Sequence, residues 1–437
     1  MKKVAINTLG CKANQLESSI LADDLVKYGF EVVKFNEIAD FYIINTCSVT
    51  GKSDNNSRYY IRQAKRRNPA ARIIVTGCYA QVAAEEIRQL EDVNLIIGNT
   101  EKQNLVELLN NNELFDDSEP QILVSDIMQE KEFKDKKVLS ASGRTRANIK
   151  IQDGCNFRCS YCIVPYARGN SRSNNLNDIL EQVELITGQG FQELVLSGIH
   201  LGQWGLDLKP KSSLANLIKE IEQVEGLKRF RLSSIDPIEF TDDLIETLIN
   251  SKKFCRHLHI SLQSGNNEIL KLMRRRYSVE YYSDLINNLT KNIPNLAIGS
   301  DIIVGFPGET DEFFNDTYKN LENLPISYIH VFTYSKRKGT PAAEMENQIP
   351  QGIKKIRNNM LTELAAGKNL EFRKSQLNQE LEVLIELTRD KKTGLLKGRS
   401  DNYIPVLING KDDLKNKLIK IVITEIDQVT TKGEILI

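Results

Sequence analysis

Residues 147–162 read Ala147-Asn148-Ile149-Lys150-Ile151-Gln152-Asp153-Gly154-Cys155-Asn156-Phe157-Arg158-Cys159-Ser160-Tyr161-Cys162. An apolar-alternating strand runs into a loop with the spacing CxxxCxxC, which lets three thiolates converge on one metal group. Zinc sites more often pair CxxC with CxxC or with His, and the nearest His in sequence is His200. A cubane iron–sulfur cluster normally takes four Cys ligands. Three local thiolates therefore leave one iron open, and an open metal position implies chemistry rather than scaffolding. Zinc, or thiols without metal, are the alternatives.

The same strand and helix rhythm repeats on the carboxyl side of this loop. Strands are expected at residues 147–152, 193–197, 229–232, 257–261, 297–304 and 328–332, and residues 178–187 and 242–250 have helical spacing. Six repeats predict an open, partial (βα)6 barrel whose chemistry sits at the carboxyl ends of its strands. A long helix over 352–378 should end it. The tail then changes to short strands at 380–387, 394–399, 403–408, 418–426 and 433–437, the pattern of a small all-β barrel.

On the amino side, strands at 4–7, 41–45, 72–76 and 94–97 alternate with helical patterns, which predicts an α/β domain built on a parallel sheet. Residues 115–146 are charge-rich and poorly periodic. The expected division is thus an N-terminal domain over 1–120, a linker over 121–146, the barrel over 147–372 and the β-barrel tail over 373–437.

A chain of 437 residues with 58 Lys and Arg against 58 Asp and Glu is long enough for two to four domains. The balanced charge carries no global nucleic-acid signal, so any RNA surface must be local. Composition excludes a disordered, collagenous or disulfide-stapled protein. The absence of a long apolar run or a signal-peptide core favours a cytoplasmic protein, where regularly placed Cys residues serve metals or catalysis.

A second set of cysteines is dispersed: Leu9-Gly10-Cys11, Asn45-Thr46-Cys47 and Thr76-Gly77-Cys78. Each follows an expected parallel strand, and neighbouring parallel strands end at one sheet edge, the crevice where such sheets bind ligands. A second three-thiolate cluster is the economical reading; three inert buried thiols are the alternative. Cys255 has no metal-spaced partner and is expected to be structural.

The Cys155–Cys159–Cys162 loop, the aromatic Tyr161 and the six-fold repeat resemble the core of the radical S-adenosylmethionine (radical SAM) enzymes. The three-domain order, with Cys11, Cys47 and Cys78 in front and a TRAM-like barrel behind, resembles the methylthiotransferases over the whole chain. Thr8-Leu9-Gly10-Cys11-Lys12, Asn45-Thr46-Cys47-Ser48-Val49-Thr50, Arg231-Leu232-Ser233-Ser234-Ile235-Asp236-Pro237 and Arg274-Arg275-Arg276-Tyr277 look most like the MtaB branch. That resemblance implies a transferase of a sulfur-containing group that converts N6-threonylcarbamoyladenosine beside the tRNA anticodon to its 2-methylthio form. It also implies two [4Fe-4S] clusters, S-adenosyl-L-methionine, an electron donor such as a flavodoxin or ferredoxin, and a sulfur source. The six clustered cysteines would be the catalytic metal ligands. Isopentenyladenosine in tRNA, a ribosomal-protein aspartate, or a non-catalytic iron–sulfur RNA sensor are the competing assignments.

By the same resemblance, Tyr161, Ser197, Gly198, Ser261, Gln263 and Asp301, near strand ends, are expected at the cofactor pocket. For RNA, Arg58, Arg62, Lys65, Arg66 and Arg67 form a basic run with Tyr59 and Tyr60 interleaved and no acid. Residues 274–276 and 336–338 are further basic candidates, while a solvated helix face is the plain alternative. His200, His257, His259 and His330 are expected to be core histidines, Trp204 to pack, and the tail to touch RNA only by analogy.

Overall fold

The computed structural model describes residues 1–110, 119–134 and 145–436. The N-terminal sheet consists of β1 (Lys3–Thr8), β2 (Glu31–Val33), β3 (Phe41–Thr46), β4 (Arg72–Gly77), β5 (Leu95–Ile97) and β6 (Gln121–Leu123). All pairings are parallel, in the order β2-β1-β3-β4-β5-β6. Its central strand β3 is buried along its whole length, as a strand covered on both faces must be. Helices α1 (Lys12–Lys27) and α2 (Gly51–Arg67) provide two of the crossovers.

The sequence places the boundary at residue 120 and a linker over 121–146. The structure corrects this: β6 pairs with β5, so the sheet extends beyond the expected edge. Ile127 is also buried, with its carbonyl close to Gly169 of the next domain. Both pieces are too short for periodicity to reveal them. Residues 135–144 of the expected linker lie outside the described residues.

The second domain carries six strands: β7 (Ala147–Lys150), β8 (Glu193–Ser197), β9 (Arg229–Leu232), β10 (His257–His259), β11 (Ala297–Val304) and β12 (Tyr328–Thr333). They form two parallel three-stranded halves, β9-β8-β7 and β10-β11-β12. Isolated parallel bridges Phe230 to Phe254 and Ile235 to Ile260 join the halves into one open barrel. Ile149, Leu194, Leu196, Phe230 and Leu258 face outward into the large core under the helices. Alternation therefore sends Asn148, Val195, Arg231, His257 and Tyr328 toward the inside.

Helix Gln351–Lys374 packs on the last barrel half, as the sequence predicts within a few residues. The tail strands β13 (Glu380–Arg389), β14 (Leu396–Ser400), β15 (Pro405–Ile408), β16 (Leu418–Ile426) and β17 (Thr431–Ile435) close into a five-stranded barrel. A charged cluster joins the tail to the large barrel. Buried Glu193 pairs with Arg229 at 2.7 Å and Arg231 at 3.0 Å. The same guanidinium groups donate to the Glu382, Arg399, Ser400 and Asp401 carbonyls of the tail.

Candidate active site: two cysteine triads at strand ends

The dispersed cysteines meet because each strand-to-helix turn at the sheet edge is tight. Cys11 is the N-cap of α1, Cys47 precedes α2, and Cys78 opens α3 (Cys78–Val82). Two glycines make the approach possible. Gly10 has φ +95°, and a Cβ there would lie 2.6 Å from Cys47 Cβ; Gly77 has φ +93°, and a Cβ would lie 2.4 Å from the Thr46 carbonyl oxygen. Burial raises the Cys47 thiol pKa, and charges on Cys78 and Cys11 raise it further. Burial also raises Cys78. These thiols share one local field, so a bound cation would remove their mutual repulsion on deprotonation.

The second triad lies at the carboxyl end of β7. Burial pushes Cys155 up to about 11 and Cys162 up to about 12, with Cys159 adding to both. Arg275 Nη1 sits 3.3 Å from Cys159 Sγ, and its guanidinium also pairs with Asp236 and bonds the Tyr277 hydroxyl at 2.9 Å. A fixed cation against a ligand sulfur favours an anionic cluster there. Both donor sets, three sulfurs each with no fourth cysteine beside them among the described residues, fit an iron–sulfur group with one open iron.

Beside the second triad lies a cavity of about 210 Å³, lined by Val49 and Thr50 from the first domain, which closely follow Cys47, and by Tyr161, Cys162, Gln263, Asp301, Ile303, Phe332 and Tyr334 from the barrel. Ion pairs join the first domain to the barrel at two places. Arg337 of the barrel, two residues beyond the cavity's Ser335, binds Asp54 at 2.5 Å and Ser48 at 2.8 Å. At a second place, Arg168 pairs with Glu17 of α1 and donates to Asn14 at 2.5 Å, while Lys150 reaches Glu17 at 3.0 Å. The Arg168 charge also acts on Cys78, opposing the rise that burial imposes on that thiol.

Of the expected cofactor residues, Tyr161, Gln263 and Asp301 line this cavity. Gln263 has φ +70°, a strained conformation held by bonds from its amide to the Asp301 carbonyl and from Ile303 to its own carbonyl. Burial alone would raise the Asp301 carboxyl, but the nearby His259 ring, 3.2 Å away, and hydrogen bonds with His330 and Ser261 hold it well below the usual range. Ser261 therefore acts through Asp301, at 3.0 Å. Ser197 is different. Its hydroxyl donates to the Ile149 carbonyl at 3.1 Å inside the wall, so its polar group is directed away from any ligand. Gly198 gives room to Gln152, whose Oε1 would lie 2.9 Å from a Cβ.

The basic residues separate in a way the sequence could not show. Asn55, Arg58, Tyr59, Arg62 and Arg66 line an open groove on α2. Lys65 is half-buried, and Arg67 donates to the Phe35 carbonyl and lies over the Phe35 ring. Arg275 and Arg337 are corrected from surface candidates to internal contacts, while Arg274, Arg276, Lys336 and Lys338 stay exposed. Trp204 is fully buried, its indole donating to the Asn174 carbonyl at 2.9 Å. His200 and His257 are buried as expected, but the His330 side chain is 56% exposed on the lumen face beside Asp301, so it is not a core residue. Cys255 is fully buried and pushed up to about 12, consistent with a structural thiol. Arg168, Glu17 and Gln152 are the site residues sequence reasoning missed, because no motif spacing links them.

Residues 149–321 match the Radical SAM superfamily, and residues 3–98 match Uncharacterized protein family UPF0004. The chain is 39% identical, over 99% of its length and 96% of the relative's, to threonylcarbamoyladenosine tRNA methylthiotransferase MtaB of Bacillus subtilis. The protein of that name from Aquifex aeolicus is 40% identical over 96% of this chain and all of its own. A tRNA-2-methylthio-N(6)-dimethylallyladenosine synthase from Carboxydothermus hydrogenoformans is 37% identical over 97% of both. Among solved structures, the radical S-adenosylmethionine methyltransferase TsrM of Kitasatospora setae superposes with a TM-score of 0.57 at 15% identity, covering 78% of this chain and 77% of that one.

Proposed function

Because the chain belongs to the methylthiotransferase family of radical S-adenosylmethionine enzymes, we propose that it converts N6-threonylcarbamoyladenosine beside the tRNA anticodon to its 2-methylthio form. The observation that carries this is near-full-length identity to two proteins named for that nucleoside. The family's cofactors are two [4Fe-4S] clusters and S-adenosyl-L-methionine. We assign Cys155, Cys159 and Cys162 to the cluster that binds S-adenosylmethionine, and Cys11, Cys47 and Cys78 to the second. When bound, the first centre supplies a 5′-deoxyadenosyl radical and the second the methylthio group.

The chain's own residues bind, orient and exclude water. Val49, Ile303, Phe332 and Tyr334 give the cavity mainly apolar walls, which keep a reactive radical away from solvent. Gln263 and Asp301 supply hydrogen-bonding groups at strand ends for ribose or the methionine moiety. Arg337 on Asp54 and Arg168 on Glu17 fix the distance between the triads, as a reaction passing between two centres requires. The open α2 groove suits RNA backbone, with Tyr59 available for stacking.

The electron would come from a small one-electron donor such as a flavodoxin or ferredoxin, and the inserted sulfur from outside the chain. No helix among the described residues is long and apolar enough to cross a membrane, and a tRNA substrate places the work in the cytoplasm. The test is mass spectrometry of nucleosides from total tRNA of cells with and without the protein. Loss of 2-methylthio-N6-threonylcarbamoyladenosine with accumulation of its precursor supports the assignment. An unchanged pair overturns it; loss of the methylthio dimethylallyl nucleoside instead moves the substrate to the other branch.

A further inference from the structure

The barrel interior holds another cavity, larger than the one at Cys162. It measures about 370 Å³ and is walled by all three domains, among them Lys12 from the first turn of α1, Val195 and Arg231 from the barrel, Arg146, and Glu386 and Tyr403 from the tail. Its position ties it to the reaction centre. Lys12 follows Cys11 directly, and Val195 lies on β8 two residues before Ser197, on the inward face.

Its charge is not balanced. Arg231 is paired with Glu193 at 3.0 Å, but Arg146 approaches Glu386 only to 3.8 Å, and Glu386 is shared with Lys397 at 3.6 Å. Lys12 has no ion pair among the described residues. Burial alone would raise the Tyr403 phenol, yet Lys12, Arg399, Arg146 and Arg231 together bring it below its ordinary value. Tyr403 is held rigidly, with φ +70°, a ring stacked on His257 at 4.3 Å and the Arg231 guanidinium 4.9 Å above it.

We propose that this cavity is a carboxylate subsite, in which Lys12 and Arg146 bind the threonyl carboxylate of the substrate nucleoside while its base lies between the two cysteine triads. The inference rests on the functional assignment above and deepens it. A carboxylate is the anionic group that sets this substrate apart from adenosine or a dimethylallyl nucleoside, whose N6 substituents carry no charge. Charge-assisted hydrogen bonds from two cations hold such a group tightly, and a neutral analogue leaves Lys12 without a partner and Arg146 with only the distant Glu386. Phosphate of the RNA backbone could use the same cations, so the test must separate the two.

The experiment measures binding of the cluster-loaded, full-length protein to anticodon stem-loop RNAs that carry N6-threonylcarbamoyladenosine, its methyl ester, or adenosine. Wild type should prefer the acid over the ester by roughly ten- to hundredfold, the range for hydrogen bonds to charged groups. Lys12→Met and Arg146→Met should each shrink that ratio toward one, and Lys12→Arg should restore it. Iron content checks that Lys12→Met keeps its clusters; Arg146→Met, away from the cysteines, decides the matter if it does not. Equal weakening of all three RNAs identifies a phosphate contact and overturns the subsite, as does a wild type indifferent to the ester. If cellular tRNA still depends on the protein for the methylthio product, the subsite alone has failed; if it does not, the functional assignment has failed.

Discussion

The guanidinium of Arg168, at the end of the short helix behind the Cys155 loop, is bonded to the carboxylate of Glu17 on the first helix of the N-terminal domain. Both side chains are buried, and Lys102, Lys150 and Asp153 complete the cluster at 2.7, 3.0 and 3.3 Å from one or the other. The Arg168 charge also lowers the Cys78 thiol against the burial that raises it. The contact therefore couples the packing of two domains to the electrostatics of a cysteine triad.

Arg168→Gln should be destabilising, by at most about 3–5 kcal/mol, because it removes one of the three cations that pair buried Glu17 and leaves Lys102 and Lys150 to compensate alone. The pH response has a definite sign. Burial opposes ionisation of Glu17, but Arg168, Lys102 and Lys150 hold it well below 4.5. Its contribution is therefore full above that value and lost as pH falls below it toward the depressed native value. Urea titrations from pH 7 to pH 3 should show this loss in wild type and a smaller one in the variant.

Gly77→Ala should misplace the second triad without touching a cysteine. Its φ of +93° and the 2.4 Å approach to Thr46 leave no room for a Cβ, and strain of this kind costs about 1–3 kcal/mol. Iron per chain after anaerobic reconstitution should fall toward half. Full iron loading would show that the turn is not what sets the triad.

Cys159→Ala and Cys47→Ala should separate the two halves of the chemistry. The first should abolish release of 5′-deoxyadenosine, and the second should retain release but form no methylthio product. Persistent release in Cys159→Ala would remove the CxxxCxxC loop from radical generation.

Glu239 offers a test in the neutral range. Burial and the neighbouring Asp236 push its carboxyl up to about 8, so it is protonated at pH 7. A carboxyl raised in the folded state binds more protons than the unfolded chain, so stability should fall as pH rises from about 4.5 to about 8. The slope is at most about 1.4 kcal/mol per pH unit. Glu239→Gln should flatten it in denaturation measured between pH 5 and pH 9.

Arg62→Ala and Arg66→Ala, on the open α2 groove, should weaken tRNA binding and reduce its salt dependence by roughly one phosphate contact each. Arg67→Ala should act differently, lowering stability through the lost Phe35 contacts. Equal effects of all three on RNA affinity would mean the groove is not the contact surface.

Much of this architecture is legible in the sequence because its signals are local. Strand alternation, helical spacing and the CxxxCxxC loop each act within a few residues, so the six barrel strands and the tail strands fall where expected to within a few residues. The short edge strands β2 and β6 escaped because three partly exposed residues give neither a period nor the buried apolar run that marks β5. Even the dispersed triad was visible, since parallel strands that begin together also end together.

What the chain alone determined is therefore the order of elements and the cysteines at their ends. What the tertiary structure decided is which charges remain available. Arg275 and Arg337 read like Arg62 and Arg66 in the sequence, yet the former are bound to Asp236 and Asp54, partners far away in the chain. Ser197 and Asp301 both stand on barrel strands, but only Asp301 has its polar atoms directed to the cavity. The reason is physical: backbone period is set by neighbours in sequence, whereas pairing and desolvation of a side chain are set by whatever folding brings against it.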